Sequence, residues 1–140
     1  MKYENRTQLM DEIEGIFASH GRRFGRDENL VAYLFYIDED VFICSAELKG
    51  QMIELAVHLP CPVSRYSSSG KIFIENIKRE ACSLYMYDIK IFHSIRSTIL
   101  IEDFPVSPHS FERESFAAYL DAFLFLARKA YRHWLDDYKG

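Results

Sequence analysis

No apolar run in this sequence reaches the roughly 20 residues that crossing a bilayer requires, and the opening stretch, MKYENRTQLMDEIEG, lacks the apolar centre of a secretion signal. Both absences point to a cytoplasmic protein with no membrane contact. Asn5-Arg6-Thr7 spells a glycosylation acceptor but carries no weight without such a signal. Cysteine is scarce and odd in number: Cys44, Cys61 and Cys82, with no CxxC pair. That excludes a disulfide framework and suits reduced, buried thiols. Positive charge is not in excess either. Seventeen Lys and Arg stand against 21 Asp and Glu, a formal charge of −4, which argues against the basic footprint of a nucleic-acid binder.

Motifs that name a reaction are also missing. There is no GxSxG, no P-loop and no GxGxxG. His20, His58, His93, His109 and His133 are scattered, with no HExxH and no His–Cys cluster, so neither a metal nor another cofactor is expected. Cys61, before Pro62, is the best nucleophile candidate, but nothing near it in sequence would activate a thiolate. Asp38-Glu39-Asp40 could bind a cation, yet acidic residues also suit a hairpin turn, the better explanation. These absences shift the expectation from an enzyme to an interaction module.

Apolar and aromatic residues are plentiful. Hydrophobics make up 49% and aromatics 15% of 140 residues, enough for one domain, 1–140, with a core that needs no staples. Leu9, Ile13, Ile16 and Phe17 recur at helical period and predict a helix over 5–20. Asn5 and Gln8 form its capping box, and His20-Gly21 its stop. GRRFGRDEN, residues 21–29, reads as a basic loop. Arg22, Arg23 and Arg26 with an interleaved Phe could touch RNA, but a solvated connector is the stronger reading.

Three strands then follow in close order: 29–37, 41–48 and 51–59. In the third, Ile53, Leu55, Val57 and Leu59 alternate with Met52, Glu54, Ala56 and His58, the period of a half-buried strand. The short connections make an antiparallel meander. PCPVSRYSSSG, residues 60–70, is a loop ending in a capping serine. KIFIENIKREACSLYM, 71–86, places Ile74, Ile77, Ala81, Leu84 and Tyr85 on one helical face. A hairpin, 87–94 and 96–104, ends at Phe104-Pro105. Ser107-Pro108 opens the last helix. The order α-βββ-α-ββ-α predicts an α+β fold, a five-stranded, mainly antiparallel sheet packed by helices. Its expected core is Leu9, Ile13, Phe17, Leu34, Ile43, Ile53, Leu55, Ile77, Ile89, Leu100, Phe116, Leu120 and Phe123.

That order, with FIENIKREACSLYMYDIKIFHSIRSTILIEDFPVS followed by an aromatic helix ending YRHWLDDY, resembles the type III secretion chaperone-like superfamily, which includes sensory transduction regulators of the YbjN type. The resemblance covers most of the chain in topology and is carried by no fixed motif. It implies non-catalytic binding of a partner protein, often as a homodimer, and transfers no site residues. The expected function is therefore a protein-binding module of chaperone or adaptor type, whose partner is a client or effector. An inhibitor or immunity protein that neutralises a toxin or nuclease is the alternative, and an enzyme with an unrecognised site a further one.

The last helix sharpens this expectation. SFAAYLDAFLFLARKAYRHWLDDY, 115–138, holds seven aromatic residues. A helix from 108 to 138 would run about 45 Å, past a globule about 37 Å across. Phe116, Leu120, Phe123, Ala127, Ala130 and Trp134 can face the sheet. Phe125, Leu126 and Tyr138 fall on the flanks, where polar residues are the rule. Phe125, Leu126, Tyr131, Trp134 and Tyr138 are thus the candidate partner contact, unless the first helix and the 60–70 loop cover them.

Overall fold

Alternation along each strand gives the sheet two distinct faces, and helical stripes then cover one of them. The computed structural model describes residues 6–64, 67–106 and 111–139. Among these, α1 (Arg6–Phe17) precedes strands β1 (Arg22–Arg26), β2 (Leu30–Ile37), β3 (Asp40–Lys49) and β4 (Met52–Leu59). Helix α2 (Ser68–Ser83), strands β5 (Lys90–His93) and β6 (Thr98–Pro105), and α3 (Arg113–His133) follow. A π-helical turn, Trp134–Lys139, continues α3. The sheet order is β1-β2-β3-β4-β6-β5, every neighbouring pair antiparallel. The α+β class stands, with six strands in place of five.

The added strand is the segment read as a basic loop. RRFGR has no apolar alternation to announce a strand; it is an edge, hydrogen-bonded to β2 on one side and interrupted by a bulge between Arg23 and Gly25. Its turn with α1 explains Gly21. A Cβ there would lie 2.0 Å from the Leu34 carbonyl oxygen, so glycine is required by backbone approach, not by a left-handed helix stop. Gly50, at φ 61°, is the position where a hairpin turn does need that freedom.

Helix boundaries moved for local reasons. Ser67 caps α2 by accepting a hydrogen bond from the Gly70 N–H at 3.0 Å, which starts the helix at Ser68. Phe73, Ile77 and Ala81 face inward, while Tyr85 lies beyond the helix end, at positive φ and 80% exposed. Helix α3 begins at Arg113, with Glu112 at the cap position making no side-chain cap bond. Asn5, Ser107 and Pro108 lie outside the described residues.

The core lies between the helices and one sheet face. Phe35, Phe42, Leu55, Leu100 and their in-register neighbours point toward α1 and α3, and α2 packs beside α3. Leu9, Ile13, Phe17, Ile53, Leu55, Ile77, Leu100, Phe116, Leu120 and Phe123 are buried as expected, and Ile89 packs partly against them. Leu34 and Ile43 are not in this core. They project from the opposite face and are half-buried. NLVAYLFYI and VFICSAEL are apolar on both faces, so periodicity alone could not say which side turns inward. Among the described residues no helix is long and apolar enough to cross a membrane.

Candidate functional site

Among the described residues no helix covers the face that Leu34 and Ile43 share. Strand register places a row across it: Arg22, Leu34, Ile43, His58, Ile99 and Phe92. The next row is small at its centre: Gly25, Ala32, Ser45 and Ala56, then Ile101 and Lys90. Tyr36 and Val41 pair at one end of the face, both exposed. At the other end Leu30, Glu47, Glu54 and Asp103 align, with Lys49 beyond. Lys49 bonds Glu54 at 3.2 Å and Lys90 bonds Asp103 at 3.5 Å. The face is therefore apolar over half its length and charge-paired over the other. Phe92 is 55% and Tyr36 53% exposed. Solvent-facing apolar side chains in one contiguous patch are unusual on a monomer and mark contact surfaces.

The C-terminal aromatic cluster has a different fate. Leu126, Tyr131 and Trp134 are buried, which corrects the expectation that they form an exposed contact. The covering comes from the 60–64 segment and α2. The Trp134 Nε1–H donates to the Pro62 carbonyl at 3.1 Å, and the Ser64 N–H donates to the Tyr138 hydroxyl at 2.8 Å. Tyr131, Trp134 and Tyr138 stack in sequence, Phe73 of α2 meets His133 and Tyr138, and Phe42 meets Tyr131 edge-on at 5.0 Å. Phe125 stays 46% exposed with the Lys129 ammonium 5.5 Å from its ring centre. A groove of about 250 Å³ between α2 and α3, lined by Asn76, Glu80, Leu126, Lys129 and His133, lies near it.

Two of the three arginines are spent internally. Arg23 grips Glu14 of α1 through two bonds of 2.5 and 2.6 Å, and Arg26 reaches Glu14 at 3.3 Å and Asp11 at 2.9 Å. The Tyr33 hydroxyl adds a bond to Glu14 at 3.2 Å. Burial opposes ionisation of Glu14, but these hydrogen bonds and the two guanidinium charges outweigh it and hold its carboxyl below the ordinary value. Arg23 and Arg26 thus fasten the edge strand to α1, and Arg22 remains outward on the open face.

Elsewhere, two buried thiols and one buried carboxylate carry chemistry of their own. Cys44 and Cys61 are buried and free. Burial, helped by the Asp40 charge, pushes the Cys61 thiol up to about 12, which keeps it protonated and poorly nucleophilic at neutral pH. Thr98, beside it, donates to the Cys61 carbonyl at 2.7 Å. Glu102 is buried on the helix-covered face with one carboxylate oxygen unpartnered. Burial raises its proton affinity, Asp88 and Asp103 add to that, and a bond from Tyr119 only partly opposes it. Among the described residues no three His, Cys, Asp or Glu come together as a metal site.

No family model, curated protein or solved structure matches the chain. The signal that could have located the open face lay in the sequence: two adjacent strands without alternation cannot both bury both faces under three helices.

Proposed function

We propose that this chain is a non-catalytic protein-binding module of chaperone or adaptor type, whose partner docks on the uncovered face of the sheet. The supporting observation is the largely apolar row Leu34, Ile43, His58, Ile99 and Phe92, which the described helices leave partly in solvent. Nothing in the monomer's core depends on that row, so its apolar character fits contact with another chain. The sequence resemblance to type III secretion chaperones, from whose element order the added edge strand β1 departs, points toward the same kind of work. A reducing, cytoplasmic setting suits its buried free thiols Cys44 and Cys61. Phe125 and the α2–α3 groove offer a smaller second contact on the opposite side.

The test is capture on the immobilised protein from its native host, with the retained protein identified and the binding rebuilt from purified components. The reading expects Ile43→Glu and Phe92→Glu each to weaken that binding at least tenfold, with unchanged circular dichroism. A partner held through an unfolded segment makes the module a chaperone; a folded toxin makes it an inhibitor. Binding unaffected by both substitutions overturns the sheet-face site.

A further inference from the structure

We infer that the groove between α2 and α3 binds a small organic anion, a carboxylate carried on an apolar body. This gives an occupant to the smaller contact named above and is independent of the sheet face.

Helical spacing builds the walls. Asn76, Arg79 and Glu80 stand three and four residues apart on one face of α2, and Leu126, Lys129, Ala130 and His133 do the same on α3. Ile77, Leu126 and Ala130 are buried where the helices meet and supply an apolar floor. The exposed Phe125 ring, with the Lys129 ammonium 5.5 Å from its centre, offers an apolar lip.

Size selects a small ligand. An apolar cavity of about 150 Å³ takes benzene. The groove holds about 250 Å³, room by the same measure for about ten non-hydrogen atoms. A helix of a partner protein, about 10 Å wide with its side chains, does not enter so small a space.

Charge selects an anion. Arg79 and Lys129 line the groove against Glu80 alone, two cations to one carboxylate, in a chain whose formal charge is −4. Glu80 reaches Lys129 at 3.6 Å. Arg79 has no carboxylate partner among the described residues; its guanidinium bonds the Asn76 Oδ1 at 3.4 Å. That bond is set from behind. His133 gives its Nδ1–H to Asp137 at 2.8 Å, which leaves Nε2 to accept from the Asn76 Nδ2–H at 2.6 Å. The Asn76 amide therefore turns its oxygen toward Arg79. The guanidinium is steadied at the groove with N–H groups to spare, and its fork matches a carboxylate. One net positive charge suits that group. A phosphate monoester brings about −1.5 to −2, more than this rim neutralises.

Nuclear magnetic resonance titration of the isotope-labelled chain tests this, with phenylacetate, its neutral isostere phenylacetamide, and acetate as probes. Phenylacetate is expected to bind with a dissociation constant of about 1 mM or tighter. It should shift Arg79, Lys129, Ala130 and the Asn76 side-chain amide, but not Leu34 or Ile43. Phenylacetamide, which lacks the charge, and acetate, which lacks the body, should each bind about tenfold more weakly. Arg79→Gln and Lys129→Gln, both at exposed positions that the fold does not need, should each weaken phenylacetate about tenfold and leave phenylacetamide unchanged. Glu80→Gln should tighten phenylacetate, because it removes the one opposing charge. Absence of groove shifts at ten times the expected dissociation constant overturns the proposal. So does phenylacetamide binding as well as phenylacetate, or a change of the same sign in Arg79→Gln and Glu80→Gln. Phenyl phosphate binding more tightly than phenylacetate overturns the choice of a carboxylate.

Discussion

The two faces of this sheet are built from the same six strands and both carry large apolar side chains, yet only one is a core. On the covered face Phe35, Phe42, Ile53 and Leu100 meet helices and lose nearly all contact with water. On the open face Leu34, Ile43 and Ile99 meet no helix among the described residues and stay half-buried. What separates them is coverage, not hydrophobicity. A residue's apolar character says that it wants burial; only the packing of another element supplies it. The covered face is satisfied within one chain, and the open face is not.

The largest expected effect tests that difference with one chemistry. Ile53→Ala, at a fully buried position of β4, removes transfer energy and leaves a cavity. It should cost about 2–5 kcal/mol. Ile43→Ala, on the neighbouring strand and the other face, leaves no enclosed void and should cost less than about 1 kcal/mol. Urea unfolding of both variants compares them directly. Equal losses would erase the distinction between the faces.

A middle-sized effect concerns the C-terminal cluster, where apolar flanks did find a cover. Tyr138→Phe keeps the ring stacked on Trp134 and tilted against Phe73 but loses the bond from the Ser64 N–H. A loss of about 0.5–1 kcal/mol is expected, with no change in oligomeric state. A change in assembly with little change in stability would move the contact surface back to this helix.

Legibility followed how local the information was. The strict alternation of Ile53, Leu55, Val57 and Leu59 fixed β4 and its inward face, whereas the run Ser67-Ser68-Ser69 promises a capping serine without saying which, so α2 starts at Ser68 and not at the expected 71. Leu34 and Ile43 were misplaced because their strands carry apolar residues on both sides, and choosing a side requires knowing where the helices land. Strand β1 was hidden because an edge can be held by backbone pairing to β2 and by Arg23 and Arg26 on Glu14, with no apolar signature. The burial of Trp134 depends on Pro62, 72 residues away, and no periodicity reports such a partner. The surplus of apolar side chains was legible in the sequence; that Leu126, Tyr131 and Trp134 would be covered while Leu34, Ile43 and Phe92 stay partly in water was not.

The smallest effects separate two carboxylates that share the covered side of the sheet. Glu14 is held ionised by Arg23, Tyr33 and Arg26, so its folded proton affinity lies below the ordinary value of 4.5. Its stabilisation is present above that value and is lost as pH falls through the lowered folded pKa. Glu102 is the reverse. Burial keeps it protonated above 4.5, while the unfolded chain ionises there, so stability declines as pH climbs from 4.5 toward the raised folded pKa. At neutral pH Glu14→Gln should therefore lower the thermal midpoint, because Arg23 and Arg26 lose their anion and β1 its fastening. Glu102→Gln should raise it, because the amide still offers Tyr119 an acceptor and never has to be buried as a charge. The Glu102 difference should vanish once pH falls below 4.5, where that carboxyl is neutral in both states, and the Glu14 difference only as pH falls through its lowered folded pKa. Thermal melts of the two variants and the parent from acid to neutral pH give the signs. A Glu102→Gln variant that melts below the parent at neutral pH would mean that the carboxylate is satisfied where it sits, and that the covered face tolerates a charge without the arginines Glu14 needs.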